Sequence, residues 1–318
     1  MPELPEVENL RMGLEKAILE QKVLKVEVRK PKLVSGNGTL RTASSKKVRE
    51  FEQNIKGEKF IAVERRAKNL IFKLSHDKII IAHLKMTGQF VFKPKSGKQV
   101  LGGPARNAYS IAVAGGHPIE ISEKTLPNKH SHIIFTLENG MLYYNDTRMF
   151  GYVLYYPSTV AFEKENHFKS YGKEPLDKSF TVKYFIESLK NKKGHAKERA
   201  GKIKTILLNQ GVVTGIGNIY ADESLFEAGI LPSRSASSLS KQEIEKLRNA
   251  IVRIMKRAIK VGGSSVATYR LVDNSQGNYA REHKVYGKAG KLCVKCGKPL
   301  SKILIQTRTT IFCPRCQK

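Results

Sequence analysis

In the first twenty positions the apolar residues Val7, Leu10, Leu14, Ala17 and Ile18 recur at steps of three and four. That is the spacing of one helix face, so the pattern predicts a helix over roughly residues 5–20. Pro5 suits its first turn, where the missing N–H costs no hydrogen bond, and Glu6 and Glu8 lie where the positive end of the helix dipole favours carboxylates. A well-capped surface helix accounts for these features as fully as a functional one. From Val23 to Tyr156 the pattern changes to short β-branched and aromatic runs, VLKVEV, KFIAVE, LIFKL, KIIIAHL, QFVFK, HIIFTL, MLYY and YVLYY, parted by glycine, asparagine and lysine turns. Such runs predict an all-β sandwich or barrel. Residues 96–129 interrupt it with a glycine- and proline-rich stretch, expected to be an inserted hairpin or loop.

Beyond Pro157 helical spacing returns in FTVKYFIESLK, GKIKTILLNQ, NIYADESLFEAG and KQEIEKLRNAIVRIMKRAIK, with SRSASSLS supplying a cap before the last. From Lys284 short strand-like pieces surround four cysteines. The expected fold is α+β and two-domain. A β-sandwich with an N-terminal helix spans 1–158, a mainly helical domain 159–283, and a cysteine-bearing β-hairpin 284–318.

Charge narrows what such a chain binds. Lysine and arginine number 57 against 28 acidic residues, a formal charge of +29 with a pI near 9.9. Polyanions are the natural partners, nucleic acid first, because neutralising phosphates releases counterions; an anionic membrane surface is second and a ribosome-associated role also fits. No stretch reaches the roughly 18 apolar residues of a membrane helix, and the start is acidic where a secretory signal is cationic and then apolar. A cytoplasmic protein without a membrane partner is expected.

The cysteines, Cys293, Cys296, Cys313 and Cys316, all fall in the last 26 residues as CVKC, sixteen residues, then CPRC. This is the spacing of a four-thiolate zinc site, in which two knuckles close a hairpin around one tetrahedral, structural Zn2+. Redox-active or inert thiols are the alternative. ILIQTRTTIF between the pairs reads as a two-stranded hairpin with Arg308 near its tip or on its second strand.

PELPEVE, RRAKNLIF, HLKMTG, NDTRMFG, GIGNIYADESLFEAGI and TRTTIFCPRCQ, in this order along nearly the whole chain, resemble the formamidopyrimidine-DNA glycosylase family. The resemblance implies a bifunctional base-excision repair enzyme that removes oxidised purines from damaged double-stranded DNA and then cuts the abasic strand, acting as a monomer without an obligate protein partner. Two other readings stand beside it: the sister branch that prefers oxidised pyrimidines, and a DNA- or RNA-binding protein that keeps the scaffold without turnover.

On this resemblance Pro2, freed by removal of Met1, is the nucleophile that attacks the sugar carbon C1′. Glu3 is the general acid at the ring oxygen, Glu6 orients the site, Lys68 contacts the lesion nucleotide and assists elimination, and Arg308 grips phosphates and serves the last elimination. Met86, Arg148 and Phe150 fill the hole left by the flipped base, with Arg148 reading the orphaned cytosine. Thr147 and Met149 stand where the family pattern has a proline and a second arginine.

GKIKTILLNQGVVTGIGNIYADE matches the family's helix-two-turn-helix unit. There Gly215 and Gly217 let the backbone approach a phosphate, and Asn218, Lys204 and Arg199 contact it. His130 matches a DNA-contacting histidine, and SSVATYRLVDNSQGNYARE corresponds to the loop that closes over the everted base.

Overall fold

The computed structural model describes residues 1–36, 42–95, 112–114, 126–190, 201–264 and 278–318. Arg199, most of the 96–129 insertion and most of the stretch corresponding to the closing loop lie outside the described residues. The chain divides into two compact units.

The first unit holds Met1–His167. Gly262, Gly263, Ser264 and Asn278, expected within the helical domain, belong with this unit instead. Helix α1 (Leu4–Ile18) opens it, and nine strands follow: β1 (Val23–Val28), β2 (Phe60–Arg66), β3 (Asn69–Leu74), β4 (Ile79–His83), β5 (Gly88–Pro94), β6 (Ala112–Ala114), β7 (Ser131–Leu137), β8 (Gly140–Asp146) and β9 (Tyr152–Tyr156). They form two antiparallel sheets, ordered β1-β7-β8-β5-β6 and β2-β3-β4-β9. The facing residues Phe60, Phe72, Phe90, Phe135, Leu142 and Val153 are buried together, and the rings meet edge to face, Phe72 and Phe90 at 5.3 Å between centroids. Tilted contact of this kind adds to the area the rings remove from water.

Helix α1 buries Val7, Leu10, Leu14, Ala17 and Ile18 in the same core, the residues whose spacing predicted it. A second helix, α2 (Ser45–Ile55), lies within the β region and was not anticipated from the sequence. Ser44 caps it by accepting the Lys47 N–H, and Phe51 and Ile55 anchor it to the sandwich. Val48 packs on the same side, and the rest of its surface is polar or charged.

The second unit contains Phe168–Val261 and Tyr279–Lys318. Helices α4 (Val182–Lys190), α5 (Ile203–Leu207), α6 (Asn218–Ala228) and α7 (Lys241–Lys260) follow the expected segments, while α3 (Thr159–Glu165), at the end of the first unit, and α8 (Tyr279–Glu282) are short additions. Ser240 and Glu243 form a reciprocal capping box at the start of α7. The C-terminal hairpin pairs β10 (Ser301–Ile305) with β11 (Arg308–Phe312), and Gln306 and Thr307, both at positive φ, make the tight turn. Phe226 of α6 packs with Val285, Leu300 and Ile311, seating the hairpin on the helices. No helix among the described residues is long and apolar enough to cross a membrane.

Candidate active site and nucleic-acid interface

At the N-terminus Pro2 and Glu3 are buried, although chain ends normally fray. The cause is local. Glu3 is the N-cap of α1, and its N–H donates to Glu6 Oε2 at 2.9 Å, while the Ser264 N–H donates to Glu6 Oε1 at 2.7 Å. Glu6 thus fixes both the cap and a distant loop end. Gly263 sits so close that a Cβ there would fall 2.9 Å from Glu6 Oε1. With Met1 in place the Pro2 nitrogen is a tertiary amide, whose lone pair is delocalised.

Lys68 lies in the two-residue turn from β2 to β3, where Ala67 takes a φ of 55°, and its side chain is buried. Arg65 shapes that turn. Its Nη1 donates to the Ala67 carbonyl at 2.9 Å, and its Nε donates to Glu8 Oε2 of α1 at 2.7 Å, tying the lysine turn to the helix that begins beside Pro2. Burial raises the Glu8 carboxyl, but Arg65 and Arg11 more than offset it and hold Glu8 below the usual carboxylate range. Below the turn, Asn69 Oδ1 accepts from the Tyr152 hydroxyl at 2.9 Å, which lies 3.1 Å from His167 Nε2. His83 is fully enclosed, and burial, with Lys85 and Lys68 nearby, pushes its imidazole well below its usual value. Its Nδ1 accepts the Lys85 N–H at 2.9 Å, which leaves the proton of the neutral ring on Nε2. This histidine of HLKMTG was not singled out in the sequence, because a lone histidine beside an apolar run reads as core.

Met86, Arg148 and Phe150 come together from two loops. Met86 is 40% and Phe150 47% exposed, so neither is a core residue. The Arg148 guanidinium stacks 4.6 Å from the Phe150 ring centroid, and its Nη1 lies 3.2 Å from Met86 Sδ. His130 is joined to the end of β8, its carbonyl accepting the Asp146 N–H at 3.1 Å.

In the second unit Gly215 takes a φ of 85° in the turn before α6, with its N–H held by Gln210 Oε1 at 2.8 Å. Gly217 is the extended N-cap of α6 and does not use the left-handed region. Asn218 opens α6 and donates from Nδ2 to the Thr309 carbonyl at 3.0 Å.

Lys204 departs from its expected role. It is completely buried, paired with Asp222 Oδ1 at 2.6 Å and bonded to Thr310 Oγ1 at 2.8 Å and the Thr309 carbonyl at 3.2 Å. An ammonium enclosed on all sides binds its internal carboxylate, not a phosphate in solvent. Burial pushes the Asp222 carboxyl up to about 6 against the pull of Lys204. Arg308, by contrast, is exposed at the first position of β11.

The four cysteine sulfurs gather within 4.8 Å of one another, Cys293 and Cys316 at 3.9 Å and Cys296 and Cys313 at 3.5 Å. A tetrahedron with metal–sulfur bonds near 2.3 Å has edges of about 3.8 Å. The thiols therefore fit a metal ion, and they are too far apart to be disulfides.

Comparison with known proteins gives the same picture. The formamidopyrimidine-DNA glycosylase N-terminal domain model matches residues 1–153 and the H2TH domain model of that family matches residues 171–270. The chain is similar to the formamidopyrimidine-DNA glycosylases of Desulfitobacterium hafniense, 35% identical over 317 residues, and Carboxydothermus hydrogenoformans, 36% identical over 318 residues, with full coverage of each chain. Among solved structures it resembles a Lactococcus lactis FPG variant bound to a Fapy-dG containing DNA, with a TM-score of 0.79 at 33% identity over the whole of both chains. It also resembles the Lactococcus lactis Fpg bound to an abasic site containing DNA, with a TM-score of 0.78 at 32% identity over 99% of each. With both domain models matched and curated relatives aligned from end to end, this chain belongs to the formamidopyrimidine-DNA glycosylase family.

Proposed function

We propose that this protein is a base-excision repair enzyme that removes oxidised purines, 8-oxoguanine and formamidopyrimidines, from duplex DNA and then cleaves the abasic strand by β,δ-elimination. The observation that carries the reading is the exposed, already stacked set of Met86, Arg148 and Phe150. Two large apolar side chains held in solvent around a guanidinium have no use in a stable core, and they suit the gap that base flipping opens in a duplex. Arg148 offers parallel N–H donors to the unpaired cytosine.

The chemistry falls to the N-terminus. Once Met1 is removed, the Pro2 nitrogen is a secondary amine, and a terminal amine is less basic than a lysine side chain, so more of it is neutral at neutral pH. It attacks C1′, the base leaves, and the resulting iminium draws electrons for elimination of the 3′ and then the 5′ phosphate. Glu3 protonates the ring oxygen as the sugar opens, and Glu6, through the Glu3 N–H, keeps the terminus in place. Lys68 contacts the lesion nucleotide, Arg308 and Asn218 hold phosphates, and His130 and Arg199 contact the DNA. The cysteine set binds one structural zinc. The enzyme acts as a monomer on DNA in the cytoplasm. The lysine at 204 is left out of the phosphate contacts because it is internally paired.

The test is covalent trapping. Borohydride reduces the iminium to a stable amine, so protein starting at Pro2 should become cross-linked to a duplex with 8-oxoguanine opposite cytosine, and protein that retains Met1, verified by mass, should not. Absence of a trapped complex with the Pro2 form would falsify the lyase assignment. Stronger trapping on an oxidised-pyrimidine duplex would move the chain to the sister branch, and binding without trapping on any lesion would make it a non-catalytic binder.

A further inference from the structure

Met86 and the pair Arg148 and Phe150 are carried by separate loops, one between β4 and β5, the other between β8 and β9. Loops of this kind move independently unless something joins them. The join is Asp146. Its carboxylate is completely buried, and it accepts the Thr87 hydroxyl on Oδ1, the Arg148 N–H on Oδ1 at 3.3 Å and the Gly151 N–H on Oδ2 at 2.8 Å. Thr87 Oγ1 in turn accepts the Arg148 N–H at 3.2 Å. Three donors thus converge on one carboxyl group.

The surroundings leave this geometry little freedom. Asp146 is fixed at the end of β8 by register with Gly88, and its carbonyl accepts from His132 Nε2 at 2.8 Å. Gly151 passes so tightly that a Cβ there would lie 1.8 Å from the Tyr144 hydroxyl and 2.9 Å from the His83 carbonyl. Between Asp146 and Gly151 the chain has Thr147 and Met149 on either side of Arg148. Proline at 147 would itself hold φ near −65°, whereas threonine leaves it free. Met149 sits at a φ of 54° with its side chain packed on the sandwich core.

From these contacts we infer that Asp146 and Thr87 are positioning residues that fasten the two loops into one preassembled wedge, and that they set the protein's discrimination between bases opposite the lesion. They touch neither the lesion nor the reacting atoms; they act through the placement of Met86, Arg148 and Phe150. The inference rests on the proposed reading of Arg148 as the group that faces the orphaned base. Preassembly has a physical advantage, since a wedge already ordered before DNA arrives loses less side-chain entropy on insertion.

The experiment compares excision of 8-oxoguanine opposite cytosine and opposite adenine by the full-length chain starting at Pro2, alongside trapping on a single-stranded oligonucleotide with an abasic site, where no opposite base exists. Thr87→Val keeps the shape and removes the hydroxyl, Thr87→Ser keeps the hydroxyl, and Asp146→Asn puts an amide NH2 donor against one of the donors. Thr87→Val and Asp146→Asn should lower the cytosine-to-adenine ratio about tenfold, the order of one lost base-reading contact. Single-strand trapping should stay within about twofold, and Thr87→Ser should restore the ratio. An unchanged ratio in folded Thr87→Val overturns the inference, as does a parallel loss of single-strand trapping in that variant, which would make the hydroxyl a general structural prop. If the unsubstituted protein traps DNA but ignores the opposite base, or if Arg148→Ala leaves the ratio intact, the reading of Arg148 fails and takes the inference with it.

Discussion

A fully buried lysine is among the costliest side chains a protein can hold, and Lys204 is tolerated because Asp222, Thr310 and the Thr309 carbonyl absorb its charge and its donors. The same pair reaches the hairpin, for Asp222 Oδ2 accepts the Ile311 N–H at 3.2 Å. Lys204→Met should therefore destabilise the protein by about 3–5 kcal/mol, because it strands a buried carboxylate. Lys204→Met combined with Asp222→Leu should recover most of that loss. Denaturant midpoints at neutral pH measure both, and a single variant as stable as the unsubstituted chain would show that the pair contributes nothing. Lys204 also marks a limit of motif reading. Ile203, Ile206 and Leu207 beside it are apolar and buried with it, but a lysine in a helical stretch ordinarily reads as its solvent-facing position, so residue type alone points the side chain outward. The roles proposed for Pro2 and Glu3 come from the resemblance carried by PELPEVE, since by pattern alone that stretch reads as a capped helix start.

At the scale of elements the C-terminal hairpin was the most legible part. Two CxxC knuckles restrict the backbone between them so strongly that spacing alone specifies four gathered sulfurs. The ribbon leaves Leu292, Val294 and Leu304 exposed and buries Leu300 and Ile311 against Phe226, so a metal held by its four cysteines would add to a small apolar contact. Cys296→Ser should lose the zinc, measured by metal analysis, and weaken DNA binding at least tenfold in a titration, since Arg308 loses its support. Full metal content with unchanged affinity would show that the ribbon neither holds zinc nor carries the contact. Helix α2 was missed although Val48, Phe51 and Ile55 recur at helical steps, because eleven residues enclosed by strand-like runs read as part of the β region. The strands of the sandwich were found, because each buried run is bounded by turn residues. Their partners were not, since hydrogen-bonded order such as β1-β7-β8-β5-β6 joins residues more than a hundred positions apart.

Across the whole molecule the excess of 29 positive charges is the dominant fact. With about six phosphates neutralised, log K for duplex DNA should fall against log salt with a slope near −5, measured by titration between roughly 50 and 300 mM salt. A flat response would exclude binding dominated by the phosphate backbone. By itself the sequence determined the polyanion preference, the cysteine set, the terminal proline and glutamate, and the alternation of β-rich and helical segments. Each of these depends only on composition, spacing or chain position. The tertiary structure alone decided that Lys204 turns inward, that Gly262–Ser264 return to Glu6, that Arg65 links the Lys68 turn to the first helix, and that Asp146 joins the loops of Met86 and Arg148. Those are contacts between residues tens to hundreds of positions apart. Folding, not local pattern, selects which distant donors meet which buried carboxylates.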